Sequence, residues 1–282
     1  HPRVLALPWE LLRDPSAGGV YLFNENPRIS IRRRISGVTG GRSPFKVRPK
    51  AQLHLLLVIS RPDEAGFIDP RADARALLAA IDAQASGRVT IEFLRPPTLQ
   101  HLVARLEDKM RPPVDIVHFD GHGVFDRTGA FSRPPNASQA ATPSTVAAVK
   151  RAEGMNTGYL LFEDAEGKSA LVAAPTLGEL LNRQRVALIV LSACQSATQA
   201  SDSSASDNDT ASDPTALADA MGSVAVRLNA AGIPSVLAMS YTVLVQSTEQ
   251  LFGEFYAHLG LSLIHISEPT RLRRISYAVF CL

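Results

Sequence analysis

Two short apolar runs constrain the fold of this chain most strongly, because each leads to a reactive side chain. The first is Val-Asp-Ile-Val-His-Phe-Asp-Gly-His-Gly at 114–123, and the second is Val-Ala-Leu-Ile-Val-Leu-Ser-Ala-Cys at 186–194. Runs of this length that are rich in Val, Ile and Leu are typical of buried parallel strands. In an open parallel sheet, reactive groups gather just beyond the carboxyl ends of the strands. If the two strands are neighbours, the imidazole of His122 and the thiol of Cys194 face each other.

Apolar strands alternate with amphipathic helices along most of the chain. The pattern predicts strands at 53–60, 89–94, 114–119, 186–192 and 234–239, and helices at 72–85 and 245–259. Apolar residues also recur at helical spacing over 99–106, where Thr98 is the candidate cap. Thr176 and Glu179 have the spacing of a capping box at the start of another helix. The alternation predicts an α/β fold, with a mostly parallel, doubly wound sheet and helices on both faces.

Changes in composition predict the domain organisation. We interpret residues 1–50 as an N-terminal arm of the same domain that occupies 51–260. The stretches 127–157 and 198–213 lack apolar periodicity, so we expect mobile insertions there. Residues 261–282 resemble a translated sequencing adapter, and we expect them not to be native. The chain has no initiating Met, and we interpret it as a fragment of a longer protein.

Composition and charge narrow the class of protein. The 282 residues are 45% hydrophobic and 20% charged, which is typical of a globular domain, and no apolar run is long enough for a membrane span. The tail carries three Arg and one Glu, so the rest of the chain is close to neutral and gives no support to a nucleic-acid partner. Cys194 is the only cysteine before the tail, so we expect no intramolecular disulfide and a cytoplasmic location.

A Cys–His pair has a simple chemistry. The imidazole takes the thiol proton, the thiolate attacks a carbonyl carbon, and backbone N–H groups hold the resulting oxyanion. The N–H groups of Gly123 and Cys194 are the candidate oxyanion donors. Taken alone, Cys194 is more simply an inert buried thiol and His122 a turn residue. Their joint placement after two apolar strands favours a catalytic pair.

The residues around this pair resemble a known family. The motifs His-Phe-Asp-Gly-His-Gly at 118–123 and Leu-Ser-Ala-Cys-Gln-Ser at 191–196 are similar to those of CHAT domains, which are relatives of caspases and separases. The block at 7–12 and the blocks at 231–239 and 255–259 are similar to other recurring parts of that family. The resemblance covers about residues 4–260.

The resemblance implies a caspase-like fold and a bacterial-type cysteine endopeptidase. It makes His122 the general base and Cys194 the nucleophile, whereas His118 does not match the catalytic position. The partners it implies are a protein substrate and a regulatory TPR-type segment or partner protein. Relatives select a basic substrate side chain with acidic residues, and Asp120, Glu163 and Asp164 lie in predicted loops suited to that pocket.

Other functions remain open at this point. A catalytically silent CHAT scaffold that binds proteins would keep the same fold and motifs. A nucleotide-binding, flavodoxin-like domain has a similar order of strands and helices, but the chain lacks a phosphate-binding glycine loop. His118 and His122 are four residues apart on a strand and its turn rather than on a helix, so no metal site is expected. We expect no cofactor.

Overall fold

A computed structural model describes residues 12–16, 18–22, 45–47, 50–67, 69–84, 87–126, 157–194, 224–238, 251–257 and 259. Its strands are β1 (Arg13–Asp14), β2 (Val20–Tyr21), β3 (Leu53–Ile59), β4 (Val89–Phe93), β5 (Ile116–Asp126), β6 (Thr157–Glu163), β7 (Ser169–Ala173), β8 (Leu188–Cys194) and β9 (Ser235–Ala238). Its helices are α1 (Ala72–Gln84), α2 (Leu99–Glu107) and α3 (Ala174–Arg183). Residues 224–230 and 251–257 are also helical.

The main sheet has seven strands and is mostly parallel. Five parallel strands lie in the order β4-β3-β5-β8-β9, and the antiparallel hairpin β6–β7 extends the sheet from β5. The strands β1 and β2 form a separate antiparallel pair. This arrangement confirms the α/β prediction.

Strand β5 organises the sheet because it changes neighbours along its length. Its first part pairs in parallel with β3 as far as Asp120, and its second part pairs antiparallel with β6 from His122 onwards. The other edge of β5 pairs with β8 from Ile116 to His122. Since β8 occupies that edge up to His122, β6 must follow β3 along the opposite edge.

Alternating side chains divide the core between the two faces of the sheet. On one face, Leu56 and Val58 of β3 pack with α2, α3 and the helical residues 224–228. On the other face, Leu55 and Leu57 pack with α1 and the helical residues 252–256. Helices therefore cover both faces, as the sequence predicts. No helix in the described part of the chain is both long and apolar enough to cross a membrane.

The Gly-His-Gly motif lies inside a strand, which corrects the prediction that the strand ends at Phe119 and that His122 lies in a turn. Glycine is unfavourable in strands, but pairing with β6 extends β5 to Asp126. Gly121 is needed for space, because a Cβ atom there would lie 2.9 Å from the Phe119 ring and 3.2 Å from the carbonyl oxygen of Ser60. Cys194 is likewise the last residue of β8.

Local signals gave one wrong helix start and one correct one. Helix α3 begins at Ala174 with Pro175 in its first turn, so Thr176 is inside the helix and does not cap it. Proline favours the first helical turn, where its missing N–H is not needed. Thr98 does cap α2, with its Oγ1 accepting the His101 N–H at 3.2 Å.

Some of the sequence predictions concern residues that the structure does not describe. The expected insertion at 198–213 and the tail at 261–282 lie outside the described residues, as does the insertion at 127–157 apart from Thr157.

Two helical glycines give a matched test of packing. A Cβ at Gly178 would lie 2.6 Å from the Ala231 Cβ, whereas a Cβ at Gly253 would meet none of the described residues within 4 Å. We expect Gly178→Ala to lower the free energy of unfolding by about 1–3 kcal/mol through overpacking. Gly253→Ala should raise it by up to about 1 kcal/mol, because alanine loses less backbone entropy. Urea denaturation measures both, and equal effects would contradict this packing.

Candidate functional site

The two residues predicted to react lie opposite each other on neighbouring strands. His122 and Cys194 are register partners in the parallel ladder of β5 and β8. Neighbouring strands in a sheet lie about 4.8 Å apart, so the two backbones are adjacent. Each residue lies at the carboxyl end of its parallel pairing, which is where α/β sheets bind ligands. The ladder therefore brings together the backbones of the predicted base and nucleophile.

A backbone carbonyl orients the imidazole of His122. The side chain is buried, and its Nε2 lies 2.9 Å from the carbonyl oxygen of Gly66, in the segment between β3 and α1. A carbonyl oxygen can only accept a hydrogen bond, so Nε2 must carry the proton. In the neutral imidazole, Nδ1 is then the nitrogen with the lone pair. This tautomer makes Nδ1 the atom that can act as a base.

The surroundings of His122 also keep it uncharged. Burial lowers the pKa of the imidazole, the hydrogen bond to Gly66 partly offsets this, and the nearby positive charge of Arg61 lowers the pKa further. A lowered pKa means that the neutral, proton-accepting form persists below pH 6.5, the ordinary value. His122 is thus suited to act as a general base at neutral pH.

Arg61 joins the segment after β3 to the strands beside it. Its guanidinium donates to Asp120 Oδ1 at 2.7 Å and to the Asp120 carbonyl oxygen at 2.8 Å. Its backbone N–H donates to Glu163 Oε1 at 2.7 Å. The Arg61 residue therefore contacts β5 two residues before His122 and also the end of β6.

Asp120 is buried in the ion pair with Arg61. Its pKa is raised to about 7, mainly by burial and in part by the nearby carboxylates of Asp73 and Asp69, while the charge of Arg61 opposes the rise. Among the described residues, its Oδ2 has no hydrogen-bond partner. The predicted pocket acid therefore lies within β5 rather than in a loop.

The other two predicted pocket acids lie in the β6–β7 hairpin. Glu163 is the last residue of β6, and Asp164 Oδ1 accepts the backbone N–H groups of Glu166 at 3.0 Å and Lys168 at 2.8 Å. The segment after β3 reaches the same hairpin, because Glu64 Oε1 accepts the Ser169 N–H at 2.8 Å. These carboxylates therefore lie close to the segment that carries Gly66.

Four residues that the sequence analysis did not assign to the site contact His122 or belong to the contacts of β5 and β8 just before the pair. They are Arg61, Gly66, Asp73 and Ser192; the Ser192 hydroxyl donates to the carboxylate of Asp73 in the first turn of α1. Arg61 and Ser192 could have been suspected as polar residues at or beyond the carboxyl ends of buried strands. No sequence signal marks Gly66, since it contributes only a backbone carbonyl.

His118 lies on β5 but has different surroundings. It is fully buried, its Nδ1 lies 3.0 Å from the Tyr256 hydroxyl, and its ring packs against Phe252. Burial lowers its pKa to about 3, so it stays neutral. This core position agrees with its exclusion from the predicted catalytic pair.

A groove of about 800 Å³ lies at the other end of the sheet. Its lining includes Val114, just before β5, and Arg183, which ends α3 before β8, so the groove lies at the amino ends of these strands and away from His122. Within the described residues, no cluster of three or more His, Cys, Asp or Glu side chains is arranged to hold a metal ion.

The fold and the position of these motifs define the class of protein. A mostly parallel sheet covered by helices, with His122 and Cys194 in register at its carboxyl edge, is a caspase-like α/β fold. The family model described as CHAT domain matches residues 3–263, and the chain belongs to this family. No curated protein matches the chain.

The buried imidazole of His118 predicts a specific acid sensitivity. In the unfolded chain it takes a proton near pH 6.5, but the folded state resists protonation down to about pH 3. Above pH 6.5 the imidazole is neutral in both states and does not lower the free energy of unfolding. Between about pH 6.5 and 3 only the unfolded chain takes up the proton, so the free energy of unfolding falls as the pH is lowered. His118→Phe should therefore flatten the decline in unfolding free energy by up to about 1.4 kcal/mol per pH unit.

Tyr256→Phe is the matched control for this test, because it removes the same hydrogen bond and leaves the imidazole in place. Denaturation between pH 4 and 7 measures the slopes. If His118→Phe and Tyr256→Phe give parallel curves, His118 is not the group responsible.

Proposed function

We propose that this CHAT domain is a cysteine endopeptidase in which Cys194 is the nucleophile and His122 is the general base. The observation that carries the proposal is the register of His122 with Cys194 at the carboxyl edge of the parallel sheet. The tautomer set by Gly66 and the lowered pKa of His122 support it, since both favour a neutral base.

In the proposed reaction, Nδ1 of His122 accepts the proton of the Cys194 thiol. The thiolate attacks the carbonyl carbon of a peptide bond, and the electron pair of that carbonyl moves to its oxygen. The tetrahedral intermediate collapses, the C–N bond breaks, and the imidazolium gives its proton to the leaving amine. Water, deprotonated by His122, then hydrolyses the thioester and releases the thiol.

The alternation of backbone groups along β5 fixes the edge that the Gly123 N–H faces. The backbone N–H and C=O groups of successive residues in a strand point to alternate edges. The Asp120 carbonyl accepts from the Ser60 N–H at the β3 edge, so the groups of Gly121 and Gly123 face the β8 edge. The Gly123 N–H therefore points at β8, where the register pairs it with the Cys194 carbonyl, and the Cys194 N–H pairs with the Gly121 carbonyl. Both N–H groups stay the proposed oxyanion donors, and each would have to leave the ladder to bind an oxyanion.

The proposed substrate is a protein, and the proposed control is a TPR-type segment or partner protein, because CHAT domains often occur with TPR repeats. A cytoplasmic location is part of the same proposal. Selection of a basic side chain by Asp120, Glu163 or Asp164 stays a prediction. Each of the three carboxylates already has a contact within the protein. Comparing cleavage after basic and neutral side chains would separate a structural role from a role in substrate selection.

Proteolysis by the full chain tests the proposal. Cys194→Ala should abolish cleavage of an unfolded protein substrate, and His122→Ala should reduce kcat/KM by about 10²–10⁴-fold. His118→Phe is the control, because it changes a buried histidine of the same strand outside the proposed machinery. Activity that survives Cys194→Ala would refute the assignment. Binding without cleavage by an unmodified chain, with and without a TPR partner, would support the scaffold function instead.

The pH profile gives a separate prediction. Because His122 must be neutral to accept a proton and its pKa is lowered, the acid limb of kcat/KM should lie below pH 6.5. Activity should be retained as the pH falls to that value and lost at lower pH. Steady-state kinetics between pH 4 and 8 measure this limb, and an acid limb above pH 7 would contradict the role given to burial.

A further inference from the structure

A second register pair lies two residues before the proposed catalytic pair. Asp120 of β5 is the partner of Ser192 of β8, and both side chains are buried. Asp120 accepts two bonds from the Arg61 guanidinium, one through its carboxylate and one through its carbonyl. The Ser192 hydroxyl donates to the carboxylate of Asp73. We call Arg61, Asp73, Asp120 and Ser192 the polar layer.

The polar layer holds both ends of one segment. Arg61 follows β3 and Asp73 lies in the first turn of α1, so the two residues enclose the segment that contains Gly66. Arg61 fastens its start to the strand that carries His122, and Asp73 fastens its end to the strand that carries Cys194. The Gly66 carbonyl between them accepts the hydrogen bond from His122.

We propose that the polar layer positions the Gly66 carbonyl against His122, and that Arg61, Asp73 and Ser192 are thereby positioning residues of the Cys–His pair. The catalytic consequence rests on the proposed function, whereas the effect on the imidazole does not. The layer couples the two strands and the segment, so a change at Ser192 reaches His122 through Asp73 and Gly66. A layer that only stabilised the fold would leave the tautomer of His122 unchanged.

The bond between Ser192 and Asp73 is the best place to test this inference. Ser192→Ala removes one hydroxyl and leaves the ion pair of Arg61 and Asp120 intact. Asp73→Asn is the conservative variant, because its amide oxygen can still accept from Ser192. Ser60→Ala is the matched control, because Ser60 has a buried hydroxyl at the end of β3 with no hydrogen-bond partner among the described residues.

The first measurement is the ¹⁵N NMR spectrum of the histidines of the full chain, with the His122 signals assigned from His122→Ala. Wild type, Ser60→Ala and Asp73→Asn should show His122 protonated at Nε2. Ser192→Ala should show a mixture of the two tautomers and faster amide exchange over residues 63–67. A single Nε2–H tautomer in folded Ser192→Ala would overturn the inference.

The second measurement is the alkylation rate of Cys194 by iodoacetamide, resolved from Cys281 by mass spectrometry. Ser192→Ala should lower the rate at pH 7 by roughly tenfold, since small displacements of a base are costly. If the wild-type rate does not depend on His122 while the tautomers shift as expected, the proposed function fails and the inference stands. If the wild-type rate depends on His122 and Ser192→Ala changes nothing, the inference fails and the function stands. Should Ser192→Ala not fold, Arg61→Lys carries the same expectation, because it keeps the charge and loses the paired contact with Asp120.

Discussion

The parallel ladder between β5 and β8 is the interaction on which the site depends. It pairs seven residues of each strand and ends with His122 opposite Cys194. Because side chains alternate along a strand, a slip of one residue would move every side chain of β8 to the opposite face. The buried residues on both faces oppose such a slip, since Ile189 and Leu191 belong to one core and Leu188 and Val190 to the other. Packing of the core therefore fixes the register of the proposed pair.

The departure of β3 from β5 makes room for the rest of the site. Beyond Asp120, β6 takes the place of β3, and the chain after β3 turns towards α1 and passes His122. Arg61 lies where β3 separates from β5, and it forms a buried ion pair with Asp120. Removing the Asp120 carboxylate would leave the mostly buried guanidinium of Arg61 without its partner, which is destabilising. Stability and the orientation of His122 thus share the same residues.

The sequence predicted the five parallel strands, most helices and the two apolar strands that lead to His122 and Cys194, because these depend on apolar periodicity and on short motifs. It did not predict that β5 continues through Gly-His-Gly, since the cause is pairing with β6, some 35 residues later in the chain. The start of α3 was misplaced because two local signals competed, and Pro175 prevailed over the capping box.

The contacts of His122 could not be predicted from the sequence. Gly66 acts through a carbonyl that every residue type possesses, so nothing in its identity marks the role. Asp73 and Ser192 are 119 positions apart, and only the fold shows that they are bonded. Asp120 was predicted as a pocket acid in a loop, but its strand position and its bond to Arg61 appear only in three dimensions.

The central claim is that His122 activates Cys194, and the pKa of the Cys194 thiol tests it most directly. The pH dependence of iodoacetamide alkylation, measured at Cys194 in the wild-type chain and in His122→Ala, gives this pKa. We expect a thiol pKa below the ordinary value of about 8.5 in the wild type and a return to that value in His122→Ala. An ordinary thiol pKa in both proteins would contradict the claim.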